Sequence, residues 1–108
     1  MQFENPIPKR LKEARKKAGY SQKALGVRIG MDESSASGRM NHYEKGRHTP
    51  DLSTLKRIAD ELGVPINYFF CEDDKMAEIV CLLDKLNEKN KESVLKVVQE
   101  MIASSEGE

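Results

Sequence analysis

Residues 21–46, SQKALGVRIGMDESSASGRMNHYEKG, gather side chains suited to directional hydrogen bonding with another molecule. Asn41 is the most informative of them. Its amide sets a donor beside an acceptor, which complements the major-groove edge of adenine in a bidentate pair. Ser34 and Ser37 can donate or accept at a base edge, His42 adds an imidazole, and Gly38 leaves room for close backbone approach. Around them, Gln22, Lys23, Arg39, Lys45 and Arg47 suit phosphate oxygens. Other chemistries have no comparable support. The chain has no Gly-rich phosphate loop, no metal motif and no nucleophile constellation, so neither catalysis, a cofactor nor a metal is expected. Cys71 and Cys81, with His42 and His48 far upstream, lack metal-ligand spacing and are read as reduced thiols.

Two short helices must position these groups. Ser21 is a good N-cap for the first, which carries Gln22, Leu25 and Gly26; Gly26 permits a close crossing, and Gly30 can end the helix with positive φ. Asp32 can cap the second, where Ala36, Met40 and Tyr43 recur at i, i+4 and i+7 as a buried stripe. At 100° per residue, that stripe leaves Ser34, Ser37, Gly38, Asn41 and Lys45 on the outer face, with His42 beside them and Arg39 on the flank. Gly46 would end this helix.

The flanking sequence continues in helices. Residues 6–18 open with Pro6 and Pro8, turn Ile7, Leu11 and Ala14 inward, and close at Gly19. A fourth helix follows residues 48–51, with Leu52, Leu55, Ile58, Ala59 and Leu62 as its stripe and Gly63 as its stop. Val64 and Pro65 begin a short fifth helix whose Tyr68, Phe69 and Phe70 are expected to lock the core. The organisation expected is therefore all-α. A five-helix domain spans residues 1–70, a linker 71–74, a helical hairpin 75–104 and a frayed tail 105–108. In the hairpin, Met76, Ile79, Val80, Leu83 and Leu86 form one apolar stripe. Val94, Leu95, Val97, Val98, Met101 and Ile102 form another after a break at residues 87–90. Two such helices bury little by themselves, so their exposed face is expected to meet a second copy of the chain, giving a homodimer.

Charge divides along the chain. Residues 1–50 carry eleven Lys/Arg against five Asp/Glu, and residues 51–108 carry seven against thirteen, so a net charge of zero hides halves of +6 and −6. The basic half suits a phosphate backbone, and the acidic half should point away from it. No apolar run approaches the ~20 residues of a membrane span, and the start MQFENPIPKR lacks a signal-peptide core, so a cytoplasmic protein is expected.

An ordered series of residues carries a family resemblance. It comprises Arg10, Leu11 and Arg15; Gly19, Tyr20, Ser21 and Gln22; Leu25, Gly26 and Gly30; Met40, Asn41, Tyr43, Glu44, Gly46 and Pro50; and Leu55, Ile58, Ala59, Leu62, Gly63, Val64, Tyr68, Phe69 and Phe70. In these the chain resembles the Xre, or lambda-Cro-like, helix-turn-helix transcriptional regulators. The resemblance implies a lambda-repressor-like DNA-binding domain, double-stranded DNA as partner, and an internal ion pair between Arg15 and Glu44 that contacts no DNA. Two departures stand out. Gly26 replaces the usual alanine, and Gly30 is fourteen residues from Glu44 where the family has ten. Four extra residues are about one helical turn, which suggests an N-terminally lengthened second helix, with a longer turn as the alternative. The function expected is a homodimeric transcriptional regulator, a repressor reading an inverted repeat. The alternative is a protein-interaction module, such as a toxin-neutralising antitoxin, with a second protein as partner and DNA binding secondary.

Overall fold

The computed structural model describes residues 3–106, and every regular element among them is helical. In chain order these are α1 (Ile7–Lys17), α2 (Gln22–Arg28), α3 (Ala36–Glu44), α4 (Leu52–Leu62), a 3₁₀ helix (Ile66–Phe70), α5 (Asp74–Asp84) and α6 (Glu88–Glu106). Side chains that accept the free N–H groups of a first turn set most of the starts. Ser21 Oγ accepts from Ala24 N at 2.9 Å, Asp51 Oδ1 from Thr54 N at 2.8 Å, Asp73 Oδ2 from Met76 N at 3.1 Å and Asn87 Oδ1 from Asn90 N at 2.8 Å.

One core joins the elements. Ile7, Leu11 and Ala14 of α1, Leu25 of α2, Ala36, Met40 and Tyr43 of α3, and Leu55, Ile58 and Ala59 of α4 are buried together with Tyr68 and Phe69. Fully burying a large member such as Leu11 or Ile58 contributes about 1.5–3 kcal/mol. Phe70, expected in this core, is 52% exposed. The fifth helix is 3₁₀ rather than α, and at three residues per turn Phe70 falls in line with exposed Asn67 while Tyr68 and Phe69 turn inward.

The extra residues before α3 form a turn and not a lengthened helix. α3 has nine residues and begins at Ala36, four after Asp32. Asp32 organises the turn ahead of it: its carboxylate accepts from Ser34 N and Ser34 Oγ, both at 2.9 Å, and its carbonyl from Ser35 N at 3.0 Å and Ala36 N at 2.9 Å. A local acceptor that draws in these donors competes with continuous helix, which is why regular winding starts late.

The C-terminal helices also depart from expectation. Ala77 of α5 is buried in the common core with Val80 and Cys81 packed against it, so α5 packs on the body. Val80 is thereby taken out of the outward stripe. α5 packs on the 3₁₀ helix, and α6 buries no residue. The molecule is consequently long, 58 × 36 × 22 Å, with a radius of gyration of 16.7 Å against about 13 Å for a compact chain of this length. Ser105 and Glu106 of the expected frayed tail are still helical, and its last two residues lie outside those described.

Candidate nucleic-acid interface

α2 and α3 cross at Gly26. A Cβ there would lie 2.8 Å from Ala36 Cβ, 3.1 Å from Ala36 O and 3.1 Å from Met31 Sδ. The lengthened turn carries Met31 and Ala36 into this space, and the missing methyl lets the helices close. Gly30, at φ 101°, then reverses the chain, with Met31 N donating to Gly26 O at 2.9 Å.

Arg15 of α1 and Glu44 at the end of α3 form a bidentate ion pair, Nη2 donating to Oε1 at 3.0 Å and Nε to Oε2, with side chains 10% and 3% exposed. Arg15 Nη1 also donates to Tyr20 O at 2.8 Å, which ties the α1–α2 turn to the end of α3. Gln22 Nε2 donates to Glu44 Oε1 at 3.1 Å and to Asn41 Oδ1 at 3.2 Å. A carboxylate can only accept, so Glu44 determines which end of the Gln22 amide faces α3. The second N–H of Gln22 then orients Asn41, leaving Asn41 Nδ2 as a donor and one lone pair on Oδ1.

The other expected site residues separate into groups. Ser37, Gly38, Arg39, Lys45 and Arg47 are exposed, and an added Cβ at Gly38 would meet open space. Ser34 is not on α3; its hydroxyl bonds to Asp32, whose carboxyl is held below its usual range by the Ser34 backbone N–H and hydroxyl. His42 packs beside His48. Its ring centroid is 5.2 Å from that of His48, its Nδ1 is enclosed with no partner among the described residues, and the two imidazoles share a cleft of about 360 Å³ with Arg39, Tyr43 and Thr49. Lys23 pairs with Glu33 of the inserted turn at 3.1 Å. That pairing and the Gln22–Asn41 bond were not foreseen from sequence, since each joins residues on two separate elements.

α4 braces the frame. Tyr20 OH donates to Glu61 Oε2 at 2.6 Å and Arg28 Nε reaches both Glu61 oxygens at 3.1 Å, which lowers the Glu61 carboxyl, chiefly through Tyr20. Arg57 Nη1 donates to Ile29 O at 3.2 Å, holding the end of α2. Among the described residues no helix is long and apolar enough to cross a membrane, and no cluster of three or more His, Cys, Asp or Glu could hold a metal.

Comparison with known proteins agrees with this arrangement. A helix-turn-helix family model matches residues 11–69. The chain is 32% identical over 104 residues to the HTH-type transcriptional regulator ImmR of Bacillus subtilis (strain 168), covering 94% of this chain and 77% of that protein. It is 29% identical over 68 residues to the cryptic phage CTXphi transcriptional repressor RstR of Vibrio cholerae, covering 58% and 61% respectively. The crystal structure of transcriptional regulator BswR superposes with a TM-score of 0.83 at 42% identity, over 91% of this chain and 97% of that one. With α2 and α3 crossed at Gly26 and a polar face on α3, the chain belongs to the Xre-like helix-turn-helix family of DNA-binding transcriptional regulators.

Proposed function

We propose that the protein is a homodimeric repressor that reads an inverted repeat, each copy laying α3 in a major groove. Asn41, Ser37 and Gly38 face the base edges, and Lys45, Arg47, Arg39 and Lys23 hold the phosphates. Gln22, expected at the phosphates, and His42, expected beside the base-reading face, take other parts here: Gln22 orients Asn41, and His42 lines the flank beside Arg39. Ser34 acts through the turn. The name of the repressor RstR favours repression.

One observation carries the dimer. α6 has no buried residue, yet Leu95, Val97, Val98, Met101 and Ile102 stand 44–65% exposed on it, and Met76, Ile79 and Leu82 of α5 are also exposed. Large apolar side chains concentrated on two helices of a charged protein mark a contact surface. A second copy offers the same face, as two-fold pairing requires. With Leu83, Leu86 and Val94 half-buried beside it, this face is assigned to dimerisation.

Selection of bound DNA from a random pool, with sedimentation of the free chain, tests the proposal. An inverted-repeat site and a dimer are expected. A monomer would reassign the α6 face to a different protein, as in the interaction-module alternative, and an unselected pool would remove sequence-specific reading.

A further inference from the structure

The geometry points to Arg10 as a positioning residue that sets the spacing between the two DNA half-sites. The inference rests on the homodimeric function proposed above and adds to it a determinant outside the DNA-facing surface.

Arg10 is 1% exposed, more enclosed than any other charged residue described. A guanidinium is held at such a place only when its donors are met. Its partners are unusual in kind. Nε donates to Cys71 O at 2.8 Å and Nη2 to Glu72 O at 3.3 Å, while Nη1 lies 2.8 Å from Asp74 Oδ1 and 3.1 Å from Glu13 Oε2. Three of the four belong to the segment that leads from the 3₁₀ helix into α5. Lys9 Nζ adds a contact to Asp74 at 3.0 Å, and Tyr68 OH donates to Glu13 Oε2 at 3.1 Å, closing the cluster from the core side.

Two consecutive carbonyls and the first residue of α5 held by one planar fork fix the direction in which α5 departs. α5 cannot swing without leaving buried N–H donors unmet, which is costly. The helix that presents Arg10 also presents Arg15, whose fork holds Glu44 at the end of α3. α1 therefore carries two guanidinium clamps five residues apart, one on the DNA-facing helix and one on the root of the apolar arm. Lys91 of α6 lines a cleft with Leu83 of α5 and Asn67, so the start of α6 comes close to the same group. A dimer joined through this arm then sets its two α3 helices at one separation.

Adding one base pair between half-sites moves them by about 3.4 Å and turns them by roughly 35°, which a stiff dimer resists and a jointed one absorbs. The test titrates wild-type and Arg10→Met chains against the selected inverted repeat and against versions with the spacer changed by one base pair. Isolated half-site binding and sedimentation are measured in parallel. Wild type should lose about tenfold or more in affinity on either spacer change. Arg10→Met should keep half-site affinity and dimerisation while the spacer penalty falls to roughly threefold or less. A folded Arg10→Met dimer with the wild-type spacer penalty overturns the role of Arg10. Wild type that is monomeric or indifferent to an inverted repeat overturns the dimeric function itself, a separate result. Should Arg10→Met not fold, Asp74→Ala removes the exposed α5 end of the clamp together with its Lys9 contact. A reduced spacer penalty in that variant supports the role, and an unchanged one overturns it.

Discussion

Gln22 Nε2 donates to Asn41 Oδ1 at 3.2 Å, so the residue that opens α2 orients the amide best placed to read a base from α3. Asn41→Ala should weaken the selected site by about 1–3 kcal/mol and relax discrimination at one base position. Gln22→Leu should relax the same position, and the double variant should lose less than the sum of the two single losses. Additive losses would show that the two amides act separately.

Gly38 is exposed and Gly26 is buried at the α2–α3 crossing, so they should respond oppositely to a methyl group. At Gly38 the methyl meets open space, so Gly38→Ala should stabilise the fold by up to about 1 kcal/mol through helix propensity while weakening specific DNA binding. At Gly26 the methyl would overlap Ala36, and Gly26→Ala should cost a net 1–2 kcal/mol or so, largely recovered by adding Ala36→Gly. Thermal unfolding and titration of the selected site check both.

Glu33 of the inserted turn holds Lys23 at 3.1 Å and adds negative charge near the helix proposed to face DNA. Glu33→Gln should tighten binding to all sequences alike and steepen the salt dependence by about one unit of slope. A change confined to the selected site would instead make Glu33 a base reader.

Removing residues 88–108 takes away α6 while keeping Ala77, Val80 and Cys81 over the core. The shortened chain should fold, sediment as a monomer and bind the inverted repeat about 10²–10⁴ times more weakly, the scale of lost effective concentration. The deleted segment has three lysines against five carboxylates, so electrostatics alone would favour DNA binding after the cut. A dimer that survives this truncation would place the contact elsewhere.

Acid should loosen the fold at its helix starts and its braces. Asp32, Asp51, Glu61 and Asp74 all have carboxyl pKa values below their ordinary range: Asp32 and Asp51 accept backbone N–H groups, Glu61 bonds Tyr20 and then Arg28, and Asp74 meets Lys9 and then Arg10. A depressed carboxyl favours the folded state above its unfolded value near 4, and this contribution is lost as pH falls further. Stability to urea should therefore be flat from pH 7 to about 5 and drop below about 4. Asp51→Asn should make the acid limb shallower, since an amide still caps but does not titrate there.

Local periodicity made the core of the first five helices legible in the sequence. Leu11, Leu25, Met40, Leu55 and Ile58 are buried as their spacing demands, and each cap or stop is a matter of a few neighbouring residues. Three features were hidden for physical reasons. Four inserted residues keep helix phase whether they wind or turn, and only the competition of Asp32 for the Ser34 and Ser35 N–H groups decided for the turn. The stripe on α5 has two sides; Ala77, too small to dominate a pattern, is the residue that meets the core, and Val80 goes with it. The clamp made by Arg10 left no pattern to read, because two of its partners are backbone carbonyls about sixty residues away and carbonyls have no sequence signature.

The division of charge has a consequence for the approach to DNA. Residues 1–70 hold thirteen Lys/Arg against eight Asp/Glu and residues 71–108 hold five against ten, in a molecule 58 Å long. With no net charge, the protein feels little pull toward a distant duplex, but the unequal charge of the two segments gives it an electric dipole with a basic end. In the field of the phosphates that dipole experiences a torque that turns the basic end forward before contact. Salt then acts first on orientation: at about 0.15 M the field fades within roughly 8 Å, and encounters that were guided become random in angle.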